Sequence, residues 1–341
     1  MISFASDNYS GIHPNILTAI SHANHGHAPA YGYDSHSQTL EQLIKARFGT
    51  QATCYPIFNG TGANVIALSA LTPRFGAVLC ADTAHIHNDE SSAPECMGGV
   101  KLLPIATTDG KLTPELIQKE LHRLGNEHSA QPAVVYLSLT TELGTCYGLD
   151  ELQAIVNVAH GSGLAVYIDG ARLANACAYL GCTLADIANT GVDMLSLGGT
   201  KNGMMLGECL VVLNPKYDPA IKYLRKNHMQ LGSKLRFISA QFIAWLDNDL
   251  WLELATHSNA MAQRLYQGLK DLDGVTITQA VQSNAVFVIL PKAVKDELQA
   301  HYHFYDWNVA TGEVRLMSSF DTTPEQVDEF IAMAKRLLVT A

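Results

Sequence analysis

Short apolar runs recur through the first 215 residues of the chain, separated by segments whose apolar side chains return every three or four positions. The runs Cys54–Phe58, Ala77–Asp82, Ala133–Leu139, Leu164–Asp169, Met194–Gly198 and Cys209–Asn214 lack strict alternation, which predicts strands covered on both faces. Between them the spacing predicts helices over Gly62–Leu71, over Pro114–Leu124 with Thr113 as cap, and over Asp150–His160 before a Gly161-Ser162-Gly163 stop. A βαβ order throughout implies an α/β fold, a mostly parallel sheet covered by helices.

After about Asp247 the pattern changes. It predicts a long helix over Leu250–Leu272, strands at Ala285–Leu290 and around Val314–Ser318, and a closing helix announced by the capping box Thr323-Pro324-Glu325-Gln326. With 341 residues, more than one hydrophobic core usually serves, the chain divides into a large domain over 1–247, N-terminal segment included, and a small α/β domain over 248–341.

Composition narrows the function. The chain is 48% apolar without a low-complexity tract, so it reads as globular throughout. Acidic residues outnumber basic ones, 32 to 22, and no Lys/Arg block stands out, which argues against nucleic acid or an anionic membrane as partner and leaves small molecules. The longest apolar stretch, Val65 to Ala81, is broken by Pro73 and Arg74, so no span is expected. The first residues show no secretion signal, and seven cysteines without a CxxC spacing fit reduced thiols in the cytoplasm.

Four segments could carry chemistry. Asn59-Gly60-Thr61-Gly62-Ala63-Asn64 joins a strand to a helix, where backbone N–H groups and the helix dipole suit a phosphate; it also reads as a tight turn. A dinucleotide fingerprint would need a third glycine where Val65 stands, and the Gly-Lys-Ser/Thr of a Walker loop is missing. Tyr167-Ile168-Asp169-Gly170-Ala171-Arg172 ends a strand in a carboxylate that either faces a ligand crevice or caps the next helix. Leu197-Gly198-Gly199-Thr200-Lys201-Asn202-Gly203 puts a lysine on a small-residue loop, where desolvation favours the neutral, nucleophilic amine; alone, it reads equally as a surface lysine. His85-Ile86-His87-Asn88-Asp89-Glu90 offers a histidine for a cofactor ring or for proton transfer. His85, His87, Asp89 and Glu90 could also bind a metal, but no HExxH or comparable spacing appears and no metal is expected. His22, His25 and His27 read as solvated or interface residues.

Taken together the chain resembles the threonine aldolases, fold-type-I pyridoxal 5'-phosphate (PLP) enzymes, and most of all their low-specificity L-threonine and L-phenylserine aldolase branch. The segments that carry the resemblance run from Ser6-Asp7-Asn8 and Tyr31-Gly32-Tyr33-Asp34 through Asn59–Asn64, His85–Glu90, Thr141-Glu142-Leu143-Gly144, Asp169–Asn175 and Thr200-Lys201-Asn202-Gly203 to Lys234-Leu235-Arg236-Phe237 and Arg315. The resemblance implies that Lys201 holds PLP covalently, Asp169 pairs with its pyridine nitrogen and His85 stacks on its ring. On the same resemblance Gly60 and Thr61 would seat the phosphate, helped by Arg236 from a neighbouring subunit. Ser6, Tyr31, Arg172 and Arg315 hold the amino-acid substrate, and His128 lies near its hydroxyl. It further implies a homotetramer of two dimers and cleavage of threonine, allo-threonine or phenylserine to glycine and an aldehyde. Two departures stand out: Ser138-Leu139-Thr140-Thr141-Glu142 replaces the Ser-Leu-Glu-Asn motif of the other branch, and asparagine stands at 59 where threonine is usual. The alternatives are a PLP lyase expelling a β-substituent, a nucleotide-dependent oxidoreductase, and a cofactor-free interaction protein.

Overall fold

A computed structural model describes residues 2–340. Its larger sheet contains β1 (Thr53–Ile57), β2 (Gly76–Ala81), β3 (Lys101–Ile105), β4 (Gln131–Ser138), β5 (Ala165–Asp169), β6 (Met194–Gly198) and β7 (Glu208–Val212), in the order β1-β7-β6-β5-β4-β2-β3. The continuous apolar runs have the expected cause. Successive side chains of a strand point to opposite faces, and here both faces are dry: Leu79, Val135, Leu137, Val166 and Ile168 enter one core cluster while Val78, Val134, Tyr136 and Tyr167 enter the other.

The βαβ order fails at one place that matters. β7 runs antiparallel to both β6 and β1, while β6, β5, β4, β2 and β3 pair in parallel. The stretch from Gly199 to Gly207 is too short for a helical crossover, so the chain folds straight back and sets Glu208 opposite Gly198. β3 was not legible as a strand because Lys101 and Pro104 interrupt its apolar run; it lies at the sheet edge, where proline is tolerated.

Helix starts follow side-chain caps. The helix Gly60–Leu71 begins two residues before the expected Gly62, because Asn59 Oδ1 accepts from the Gly62 N–H at 2.8 Å. The helix Pro114–Glu120 stops early and continues as a 3₁₀ turn, Leu121–Arg123. The capping box at 323–326 forms as expected: Gln326 N–H donates to Thr323 Oγ1 and Thr323 N–H to Gln326 Oε1.

The second sheet is antiparallel, in the order β10-β11-β9-β8, from β8 (Thr276–Ile277), β9 (Ala285–Ile289), β10 (Tyr305–Asn308) and β11 (Glu313–Met317). The helices Leu250–Leu269, Lys292–His301 and Pro324–Thr340 contribute Leu265, Leu298 and Phe330 to its core. The N-terminal segment, expected with the large domain, joins this smaller core. Phe4 is 0% exposed, its ring meets Phe330 at 5.2 Å, and its backbone bonds to His303 and Met317. Among the described residues no helix is long and apolar enough to cross a membrane.

Phe4 therefore acts as an anchor, and Phe4→Ala should destabilise the protein by about 3–5 kcal/mol, the usual cost of emptying a buried phenylalanine site. A lowered denaturant midpoint checks this; an unchanged midpoint refutes it.

Candidate active site

The carboxyl ends of the parallel strands open onto a cavity of about 380 Å³, the usual ligand position in such sheets. Asn59 takes up the Gly62 N–H and its carbonyl takes that of Ala63, which leaves the Gly60 and Thr61 N–H groups without acceptors among the described residues at the head of a twelve-residue helix lining the cavity. Free amides at the positive end of a helix suit a phosphate. Gly62 itself is glycine for packing: a Cβ there would lie 2.3 Å from the Gln230 side chain.

Asp169 ends β5 inside the cavity wall. Its Oδ2 accepts from Tyr136 Oη at 2.8 Å and Asn64 Nδ2 at 3.0 Å, and its Oδ1 from the Ala171 N–H at 3.0 Å. Burial alone would push this carboxyl up, but the bond from Asn64, the Ala171 amide and Lys201's charge outweigh it and hold Asp169 below the ordinary aspartate value. Asn64 also donates to Glu90 Oε1 at 2.7 Å and accepts from Tyr167 Oη at 2.9 Å. Glu90 in turn meets His85 Nδ1 at 2.8 Å, and this bond raises the imidazole's pKa against the pull of burial. The sequence marked the ends of this chain, Asp169 and His85; Asn64, which joins them, was visible only as the last residue of the phosphate-loop motif.

Lys201 lies on the short reversal between β6 and β7 and has no hydrogen-bond partner among the described residues. Burial, then the nearby charge of Arg172, pull its amine below the ordinary lysine value. The glycines around it are required by contact: a Cβ at Gly170 would lie 2.0 Å from the Ser196 carbonyl oxygen, and one at Gly199 would lie 2.0 Å from Met204 Sδ. Glu208, which sequence reasoning missed, stands opposite Gly198 with a buried, unpartnered Oε2. Its only signal was an acidic residue opening an otherwise apolar strand.

Arg172 is gripped by Asp7, Nε to Oδ2 at 2.7 Å and Nη2 to Oδ1 at 3.0 Å; Asn284 Nδ2 also reaches Asp7 Oδ2 at 3.0 Å. Arg315 on β11 donates Nη2 to the Ala5 carbonyl at 3.2 Å and lies over the Trp307 ring at 5.1 Å, with Nε buried and unpartnered. Burial, and then repulsion from Arg172, lower Arg315 to about 10. Arg172 thus lines the cavity with Lys201, and Arg315, from the smaller sheet, is close enough to Arg172 to feel its charge.

The structure brings Gly60, Thr61, His85, Asp169, Arg172 and Lys201 to one cavity. Ser6 sits beside it and spends its Oγ on the Asn8 N–H at 3.2 Å. Tyr31 and Arg236 lie outside: the Tyr31 ring is exposed beneath Lys226, and Arg236 Nη1 donates to the Gly26 carbonyl at 3.2 Å. His128 does not reach the cavity in its own chain. Its side chain is 87% exposed on the loop before β4, and the eight-residue strand puts about 26 Å between that loop and the carboxyl end at Ser138. Among the described residues no group of three or more His, Cys, Asp or Glu converges as a metal site would.

The residues present fit PLP. Free amides are available for its phosphate, an ionised carboxylate for its ring nitrogen and an unpartnered amine for its carbonyl, while the buried, unpartnered Thr140 Oγ1 remains in the wall for a polar substituent.

A profile of the β-eliminating lyase family matches residues 3–292. The low specificity L-threonine aldolase of Pseudomonas aeruginosa is 40% identical over 99% of this chain and 98% of its own. The structure of Leishmania major threonine aldolase superposes with a TM-score of 0.95 at 34% identity, covering 99% of this chain and all of that one. A TDC from Oryza sativa solved with PLP and tryptamine gives 0.76 at 14% identity over 99% of this chain and 83% of its own, a likeness of fold alone. The chain belongs to the β-eliminating lyase family and is a PLP-dependent lyase of the threonine aldolase type.

Proposed function

We propose that the protein cleaves the Cα–Cβ bond of L-threonine, L-allo-threonine or L-phenylserine to glycine and an aldehyde. The observation that carries this reading is the buried Lys201 amine, without a hydrogen-bond partner among the described residues, in one cavity with the Asp169 carboxylate and Arg172, while Arg315 lies close enough to Arg172 to feel its charge. Lys201 and Asp169 would hold the two ends of the cofactor's ring and His85 its face, with Gly60 and Thr61 on the phosphate. When bound, PLP supplies an electron-withdrawing ring in conjugation with the substrate's Cα. Asp169 stays ionised and so keeps the ring nitrogen's proton in place. The arginines fix the carboxylate in a plane, and that choice decides which bond at Cα stands in line with the ring.

Three further features belong to the same reading. Phe58, Met205 and Leu206 expose apolar surface around the cavity mouth, near Arg236, which suits a second copy of the chain. A homotetramer of two dimers would place Arg236 of one copy near the phosphate seat of another, and sedimentation tests this. Seven cysteines without a disulfide suit the cytoplasm.

Incubation of the purified yellow protein with the three amino acids should release acetaldehyde or benzaldehyde, and Lys201→Ala should be colourless and inactive. Ammonia and a keto acid in place of the aldehyde would refute the reading in favour of β-elimination.

Arg315→Lys keeps the charge but loses the fork. A charge-assisted bond of that kind contributes about 1.5–3 kcal/mol, so KM should rise roughly ten- to a hundredfold and kcat should fall with it. Unchanged kinetics with a lowered melting point would make Arg315 a tie between domains only.

Burial pushes the Glu208 carboxyl up to about 8, although Lys201's charge pulls it back. The folded apoprotein therefore holds a proton that the unfolded chain releases near the ordinary 4.5. Between those values folding binds a proton, and the stability owed to Glu208 falls as pH rises. In melts of the cofactor-free protein from pH 5 to 8, Glu208→Gln should lose less stability than the parent; parallel curves would refute the shift.

A further inference from the structure

The cleavage proposed above needs a group to take the proton of the substrate's β-hydroxyl, and the ionisable side chains around the cavity are mostly committed. Asp169 receives three hydrogen bonds and is held below its ordinary value. Glu90 gives Oε1 to Asn64 and His85, and its Oε2 is buried. His85, facing Glu90, is stabilised in its protonated form. Glu208 Oε2 is closed in against Gly198, 2.7 Å from where a Cβ would stand.

Glu142 differs. It lines the cavity, and its Oε1 accepts from Ser138 Oγ at 2.5 Å and from the His85 N–H at 2.9 Å, which fixes the carboxyl. No other residue among those described donates to its Oε2. The Thr141-Glu142-Leu143-Gly144 motif explains how it is held: Thr141 N–H donates to the Thr145 carbonyl and Gly144 N–H to the Thr141 carbonyl, both at 2.9 Å, with Gly144 at φ 74° closing the turn. Arg172, half of the carboxylate seat, is near enough to feel Glu142's charge. Burial lifts the carboxyl above the ordinary glutamate value despite the opposing bonds from Ser138, the His85 amide and its own backbone amide.

We propose that Glu142 is the catalytic base for the β-hydroxyl, with Oε2 taking its proton as the Cα–Cβ bond breaks. The O–H electron pair becomes the second bond of the aldehyde carbonyl and the Cα–Cβ pair stays with Cα. A proton from water then completes glycine and Glu142 returns its proton to solvent, so neither oxidant nor reductant is needed. This rests on the aldol-cleavage reading.

The test compares two reactions of the PLP-loaded protein: aldehyde release from threonine, and exchange of glycine's α-proton with D₂O followed by NMR. Exchange needs Lys201, Asp169 and the carboxylate seat but no hydroxyl base. Glu142→Gln should lower the ratio of cleavage to exchange by about 10²-fold or more while keeping the colour and melting temperature of the parent. Cleavage within a few-fold of the parent, or cleavage and exchange falling together, overturns the proposal. A parent protein that exchanges glycine but releases no aldehyde overturns the aldol reading and this one with it. Should Glu142→Gln fail to fold, Glu142→Asp, with its acid drawn back by one methylene, should show the same fall in ratio, and an unchanged ratio there overturns the proposal.

Discussion

The site depends on keeping one carboxylate ionised inside the protein. A buried charge is tolerated only with donors enough to replace water, and Asp169 has three, from a tyrosine, an asparagine and a backbone amide. Each fixes something else in turn. Tyr136 lies on the neighbouring strand β4, Asn64 on the helix whose first turn lines the cavity, and Ala171 on the turn that leads to Arg172. Asn64 has no rotamer to spare, because its remaining bonds tie Glu90, and through it His85, to the same network.

The reversal between β6 and β7 is the second constraint. A lysine on a helical crossover would have room to reach solvent, whereas here the return strand follows at once and shuts the amine in with Glu208. Glycine at 170, 198 and 199 is the steric condition for this, since backbone or packed side chains stand within 3 Å of any Cβ added there.

Much of this was legible in the sequence for a simple reason. Asp169, Lys201, Gly60 and Thr61 sit at strand ends and a helix start that border the cavity, where local pattern is strongest. Residues that act across the fold left weaker marks. Asp7 reads as one polar residue among several until Arg172 closes on it, and Asn64 looks like an ordinary helix position until its two carboxylate partners appear. His128 is a different case: rough position in the chain suggested the site, but within one chain the direction of β4 puts it at the amino end of the parallel strands, opposite the cavity. The antiparallel return of β7 was hidden because a strand buried on both faces has the same apolar pattern whichever way it runs.

The path of the first residues has a consequence for cooperativity. Phe4 is packed among the side chains of the smaller sheet, and three residues later Asp7 grips Arg172 of the larger domain. Loosening the smaller core frees the segment that holds Asp7 and leaves a buried guanidinium without its counter-ion, while loosening the larger domain strands Asp7 in the same way. Opening either half breaks this buried ion pair, so the stability of each core carries a contribution from the other.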